Sequence, residues 1–311
     1  MKRFFLKIIL FTLFAIIFYC AGIMIVGDRW VPSYLKPNLI YKIGANGHMF
    51  TRMQEAQRIK KPDVLILGSS HAYRGYDTRI FKEYGYRAFN LGSSAQTPIQ
   101  TLTLLLQYLD KIRPETIIYD VNPRMFFSDG VESSLDIIAN DKVDKHTIEM
   151  AFEVNHIKTY NALIYGIKRD WFNLNHSFEE SKIKGNDKYV QGGFVETKME
   201  YYRPAGIKKR AIKFQKNQVK AFEKSIEEIE KRGINLVLVF GPISKELYSS
   251  YSNMDDFNSK MKSYAEHYKA KYYNFNKISN LSDSQHFSDE HHLNQKGVKA
   301  FNHDLLNSIK P

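Results

Sequence analysis

The sequence predicts a doubly wound α/β domain with a mainly parallel sheet flanked by helices, carried behind one N-terminal transmembrane helix. Three observations lead there. Short runs that are apolar throughout stop at small or polar residues, stripes at helical spacing alternate with those runs, and a long uncharged segment opens the chain.

The opening segment comes first. Met1-Lys2-Arg3 and Lys7 precede Ile8 to Val26, nineteen residues without a charged side chain. A helix of that length spans roughly 28 Å, close to the hydrocarbon thickness of a bilayer. A cleavable signal has a shorter core and small residues at its cut site, whereas Ile17-Phe18-Tyr19 ahead of Cys20 is bulky. The basic N-terminal flank favours a cytoplasmic N-terminus, so residues 1–27 are expected to be an uncleaved anchor in the cytoplasmic membrane, with everything after Asp28 outside. Residues 28–61, broken by Pro32, Pro37, Gly44 and Gly47, read as a juxtamembrane connector.

The α/β pattern occupies residues 62–311. Val64-Leu65-Ile66-Leu67 stops at Gly68-Ser69-Ser70, and Ala88-Phe89-Asn90-Leu91 stops at Gly92. Thr116 to Val121 stops at Asn122-Pro123, and Leu236 to Phe240 stops at Gly241-Pro242. Such runs suit strands buried on both faces of a parallel sheet. Between them, Thr97 and Pro98 open a helix with Ile99, Leu102, Leu105 and Leu109 on one face. Val219, Phe222, Ile226 and Ile229 mark a second helix, and Val298, Phe301, Leu305 and Ile309 a last one. About 130–204 breaks the rhythm without a clear strand cadence and reads as an insertion beside the sheet's C-terminal edge.

In an open α/β sheet, chemistry gathers where strands end. Ser70 closes the first strand at a Gly-Ser-Ser-His turn, and a serine hydroxyl becomes a nucleophile only when a base takes its proton. Gly92 closes the second strand, where the missing side chain lets a backbone N–H approach a ligand. Asn122 closes the third and offers an amide donor for a developing oxyanion. The base comes from His286-Phe287-Ser288-Asp289-Glu290-His291-His292, just ahead of the last helix. Asp289, three residues before His292, is placed to hold one tautomer of that imidazole while its other nitrogen faces Ser70. His291 competes as base but points elsewhere in an extended turn. His71 sits on the wrong face of its turn, so a structural or substrate-contact role is expected for it. His286, Asp289, His291 and His292 are also a ligand-rich cluster, yet adjacent histidines rarely serve one ion and no HExxH helix occurs. No metal or cofactor is expected.

Together these blocks resemble the SGNH (GDSL-type) hydrolase superfamily. Gly68-Ser69-Ser70 matches its nucleophile block, Asn90-Leu91-Gly92 its glycine block, Asp120-Val121-Asn122 its asparagine block, and Asp289 to His292 its closing Asp-x-x-His. The resemblance implies Ser70, Asp289 and His292 as catalytic residues, and Ser70, Gly92 and Asn122 as the oxyanion hole. The chain departs from the pattern where Ser69 replaces the usual Asp, and where Val121 and Pro123 flank Asn122. The Gly-Ser-Ser version is similar to the anchored branch of teichoic-acid D-alanylation and alginate O-acetylation proteins. That likeness implies an esterase or O-acyltransferase handling acetyl or D-alanyl groups on an envelope polysaccharide or teichoic acid, beside a membrane-bound O-acyltransferase. The altered blocks also suit a second expectation, a non-catalytic membrane-tethered binding or assembly protein.

Charge agrees with an envelope location. The chain carries +12, and Lys2, Arg3 and Lys7 leave +9 on the part beyond the anchor, which suits anionic headgroups or acidic wall polymers. No nucleic-acid partner is expected, because no helix-turn-helix, zinc-finger or aromatic RNA-binding signature is present. One cysteine allows no internal disulfide, so packing must hold the fold.

Overall fold

The computed structural model describes residues 1–28 and 30–309. Helix α1 (Lys2–Val26) is apolar and long enough to cross a membrane, and none of its residues is fully buried. Helix α2 (Met49–Ala56) follows in the connector and packs into the domain. Then come β1 (Val64–Leu67), α3 (Ser70–Gly75), α4 (Thr78–Glu83), β2 (Ala88–Asn90), α5 (Pro98–Ile112) and β3 (Thr116–Asp120). The 130–204 stretch holds α6 (Val131–Asn140), α7 (Lys145–Val154) and α8 (Ile157–Trp171). It also holds a small antiparallel sheet of β4 (Ile183–Lys184), β5 (Asp187–Val190) and β6 (Phe194–Thr197). The chain returns through α9 (Lys216–Glu230), β7 (Asn235–Phe240), α10 (Lys245–Ser250), α11 (Met254–His267) and β8 (Lys271–Asn274). Helices α12 (Phe275–Ile278), α13 (Asp283–His286) and α14 (Gln295–Ser308) complete it.

The main sheet is parallel throughout, in the order β2-β1-β3-β7-β8. Alternation along each strand divides the core. Leu65, Leu67, Ile117, Tyr119, Leu238 and Phe240 pack with α5, α9 and α11, while Ile66, Ile118, Val237 and Val239 pack with α14. Both faces are covered, which is why these strands appear as unbroken apolar runs. The order reverses between β1 and β3, and at such a switch point the flanking loops part and leave a crevice beyond the strand ends. Ser70 follows β1 and Asn122 follows β3, so both sit at that crevice.

The connector does more than span a gap. Arg52 on α2 is 0% exposed, and its guanidinium donates to the Gly47, Gly92 and Gly193 carbonyls at 2.7, 3.0 and 3.2 Å while lying 4.6 Å over the Tyr73 ring. One cation thus ties the connector, the loop after β2 and the turn between β5 and β6 together. An Arg52→Met variant leaves three buried acceptors without a donor and costs about 3 kcal/mol or more of unfolding free energy. Arg79→Met, which removes half-exposed pairs with Asp77 and Glu196, costs under about 1 kcal/mol. Urea unfolding of the detergent-solubilised chain checks the contrast, and equal losses would refute the clamp.

At the end of β3, Asp120 is buried, with Oδ2 accepting from Tyr76 Oη at 2.7 Å and the Gly241 N–H and Asn122 side chain also directed at the carboxylate. Burial pushes its carboxyl up to about 7, against the opposing pull of that hydroxyl. An unfolded aspartate titrates near 3.9. Between about pH 4 and 7 the unfolded chain therefore gives up a proton that the fold retains, and stability falls as pH rises through that window. Asp120→Asn flattens the decline, as melting temperature measured against pH will show.

Candidate active site

The turn after β1 has little freedom. Gly68 adopts φ +143°, and a Cβ there would stand 2.9 Å from the Asp120 Cβ. Ser69 then caps α3, its Oγ accepting from the His71 N–H at 3.4 Å and from Asn122 Nδ2 at 3.3 Å. A hydroxyl in this place does the capping that an aspartate can do, so the replacement at position 69 keeps the turn. Ser70 is the first residue of α3, where a backbone N–H has no acceptor within the helix.

The partner arrives from the other end of the chain. Residues 286–294 fold back on themselves: Phe287 bridges Leu293, the Ser288 N–H donates to the His292 carbonyl at 2.9 Å, and the Asn294 N–H donates to the His286 carbonyl at 3.0 Å. Asn294 caps α14 by accepting from the Lys296 and Gly297 N–H groups. Within this loop the Asp289 carboxylate accepts the His291 and His292 N–H groups at 2.7 and 2.8 Å, and His292 Nδ1 lies 2.8 Å from Oδ2. His292 Nε2 lies 2.8 Å from Ser70 Oγ. Nδ1 facing a carboxylate carries the proton, so Nε2 is the nitrogen left to accept from the serine. Burial raises the Asp289 carboxyl, but the His292 contact and the two backbone donors outweigh it and hold the group well below the ordinary range. It is therefore ionised near neutral pH.

Packing keeps the two halves in register. The buried Asn302 of α14 donates Nδ2 to the Gly75 carbonyl at 2.7 Å and accepts the Asp77 N–H at 3.1 Å, and Tyr76 packs edge-on against Phe301. Arg74 grips Asp187 at 2.7 and 2.8 Å and also reaches Thr197, fastening α3 to the small sheet.

The structure brings Ser70, Asn122, Asp289 and His292 together, with Asn122, Ser70 and His292 lining one cavity of about 240 Å³. Gly92 differs from the expectation. Its N–H donates to Asn90 Oδ1 at 3.0 Å and is not presented to Ser70, and its carbonyl accepts from Arg52. A glycine is needed there because a Cβ would lie 2.9 and 3.0 Å from the Gly68 and Ser69 carbonyls. Backbone crowding alone already requires a glycine at that position. His286 also stands apart from the other histidines, its Nδ1 accepting from the Ser282 N–H at 3.0 Å. A larger cavity of about 600 Å³ opens at the opposite, N-terminal edge of the sheet and holds none of these residues.

Three further residues line the smaller cavity: His71 and His291, which the sequence brought forward beside the serine and the base, and Arg124, which it did not. The His71 ring lies 5.4 Å from that of His292 and 5.7 Å from that of His291, forming an imidazole wall. Burial first, then the neighbouring His292, push His71 well below the ordinary histidine range and His291 down to about 4, so both are neutral near pH 7. Arg124 stands exposed at the cavity mouth, and its guanidinium makes no hydrogen bond or ion pair among the described residues. No periodicity marks Arg124; only the strand-end rule, read one turn beyond Asn122, would have found it.

No family model matches the chain, and no curated protein matches it. Among solved structures it is similar to an inferred acylhydrolase from Bacteroides fragilis, at 12% identity and a TM-score of 0.44, covering 85% of this chain and 96% of that one. It is similar as well to a GDSL-like lipase from Bacteroides thetaiotaomicron, at 11% identity and the same TM-score of 0.44, covering 85% and 97%. A likeness of this degree assigns neither activity nor substrate.

Proposed function

We propose that this chain is a membrane-anchored, extracytoplasmic serine acyl-hydrolase or O-acyltransferase of the SGNH type. Its substrates are small acyl esters, acetyl or D-alanyl, of an envelope polysaccharide or teichoic acid. The observation that carries the reading is the 2.8 Å contact between Ser70 Oγ and His292 Nε2, with Asp289 2.8 Å behind the imidazole.

Each step follows from that geometry. His292 Nε2 takes the Ser70 proton as Oγ bonds to the acyl carbonyl carbon, and the carbonyl electron pair moves onto oxygen. Asp289 stabilises the imidazolium without accepting its proton. The Ser70 N–H and Asn122 Nδ2 are the donors nearest the developing oxyanion, and Gly92 adds none unless Asn90 releases it. When the tetrahedral intermediate collapses, the C–O bond to the leaving alcohol breaks and His292 returns its proton to that oxygen. Water or a polymer hydroxyl then gives His292 its proton as its oxygen bonds to the acyl carbon, and on collapse the C–Oγ bond breaks and His292 returns that proton to Ser70 Oγ. With water the outcome is hydrolysis, and with a hydroxyl it is transfer.

Three features support the envelope setting. α1 is long and apolar enough to span a bilayer, the remainder is strongly basic, and Arg124 offers an unengaged cation where an anionic polymer would lie. The cavity's modest volume suits an acyl group of two or three carbons.

Ser70→Ala and His292→Ala each lower turnover of 4-nitrophenyl acetate by about 10³-fold or more, and the double variant loses no more than either alone, because the residues act as a unit. A fluorophosphonate probe labels the parent chain and neither single variant. Full turnover by Ser70→Ala ends the proposal. Arg124→Gln raises KM about tenfold for an acetylated anionic polymer while leaving 4-nitrophenyl acetate hydrolysis unchanged, as removal of one charge-assisted contact requires. Steady-state kinetics on the two substrates separate these effects.

A further inference from the structure

Helix α1 does not end free of the domain. Residues 2–19 are exposed along their whole length, but from Cys20 onward most residues are partly covered. Tyr19 Oη donates to Asn161 Oδ1 at 2.5 Å, Lys168 Nζ donates to the Met24 carbonyl at 2.7 Å and to Asp28 Oδ1 at 2.5 Å, and Tyr165 packs so tightly on Gly27 that no Cβ fits there. Partners on α8 rise from 161 to 168 as positions on α1 rise from 19 to 28. The two helices therefore run in the same direction, and the start of α8 lies toward the membrane end of α1.

Length then sets a depth. A hydrocarbon core of about 30 Å takes about 20 helical residues. Counted from Phe4, with Lys7 snorkelling to the inner surface, that span ends near Ile23. Tyr19 then sits about 6 Å inside the outer boundary. Asn161 is level with Tyr19, and the corner where α7 meets α8 precedes Asn161 by a turn or more. That corner is built for such a depth. Phe152 is 64% exposed, Ile157 45% and Ile148 38%. Phe152 packs its ring 5.5 Å from that of Tyr160. The corner's polar groups are paired locally: Asn155 Oδ1 accepts from Tyr160 Oη at 2.8 Å, and His156 Nδ1 accepts from the Lys158 N–H at 3.2 Å. The acidic residues of α7, Glu149 and Glu153, line a separate groove with Lys220 and Lys224 of α9, so they do not share the Ile148–Phe152 face.

We propose that the α7–α8 corner inserts Ile148, Phe152 and Ile157 into the outer-leaflet interface, so that the catalytic domain is seated on the bilayer rather than hanging from a tether. The proposal rests on the reading of α1 as a membrane span. Interfacial helices bury their apolar face about 5–10 Å deep, and with Ile157 four residues before Asn161 the α1 count puts the corner about 6–12 Å below the outer boundary. α8 packs on α6, and Glu132 of α6 lines the Ser70 cavity, so seating α8 also fixes where that cavity stands relative to the bilayer.

The test uses the full chain in vesicles of phosphatidylcholine and phosphatidylglycerol, in a Cys20→Ser background. A bimane label is placed at Phe152→Cys, at Ile157→Cys, or at Lys299→Cys on α14, which packs on the other face of the sheet. Lipids with a nitroxide at the fifth acyl carbon quench by contact. The expected result is emission at positions 152 and 157 lowered at least twofold, with position 299 unchanged. Vesicle-bound protein whose labels at 152 and 157 are quenched no more than the label at 299 overturns the seat while leaving the span intact. Protein released from the vesicles by alkaline carbonate overturns the span, and the seat with it.

Discussion

A single hydrogen bond sets the terms for this molecule: Ser70 and His292, 222 residues apart, meet at 2.8 Å. Neither residue has chemistry of this kind alone, because a serine hydroxyl needs a base within bonding reach. Meeting that requirement over such a separation takes two devices. The turn after β1 is narrowed by Gly68 and capped by Ser69, so Ser70 leaves the strand in one direction. The loop before α14 is closed by its own backbone pairs and pinned to α3 by the buried Asn302, so His292 arrives from one direction. Asp289 spends its lone pairs on the loop N–H groups and on the imidazole alike, and it therefore both shapes the loop and selects the tautomer.

Behind that contact lies a second layer of restraint. Arg52 buries a full charge against carbonyl oxygens, the Met49 sulfur and an aromatic face, and one of those carbonyls belongs to Gly92. A guanidinium satisfied in this way holds three segments that Glu55 and the Asn90 N–H also link through Gly192, and misplacing any of them leaves polar groups stranded. The Gly92 loop, stacked on the Ser69 carbonyl, thus carries the position of Ser70 back to the connector and to the small sheet. Active-site geometry here depends on residues at the two edges of the crevice, not only on the strands beneath it.

Much of this was legible in the sequence for a physical reason: strands buried on both faces must be apolar, and β1 is so throughout while β2, β3 and β7 are so apart from polar residues at their ends. The edge strand β8 was not, since Lys271-Tyr272-Tyr273-Asn274 lies half in solvent and carries no apolar run. The small sheet of β4 to β6 was hidden for the same reason, its strands being two to four residues long and mostly part-exposed. Helices with one apolar stripe declared themselves, as α5 did from Thr97-Pro98 onward. At the site, strand ends pointed to Ser70 and Asn122, and the Asp-x-x-His spacing pointed to the imidazole. Gly92 was located correctly, but a glycine required by backbone crowding and one required by a ligand look alike in sequence. Arg52 and Arg124 follow no period, and only three-dimensional proximity reveals them, as it shows the His71 ring beside that of His292.

The most direct measurement is the intact mass of the chain after exposure to an activated acetyl ester, with the modified residue located by peptide mapping. The account predicts a gain of one acetyl group on Ser70 that disappears in the His292→Ala variant, where no base remains to take the hydroxyl proton. An unmodified chain, or acetylation spread over lysines and indifferent to position 292, would contradict it.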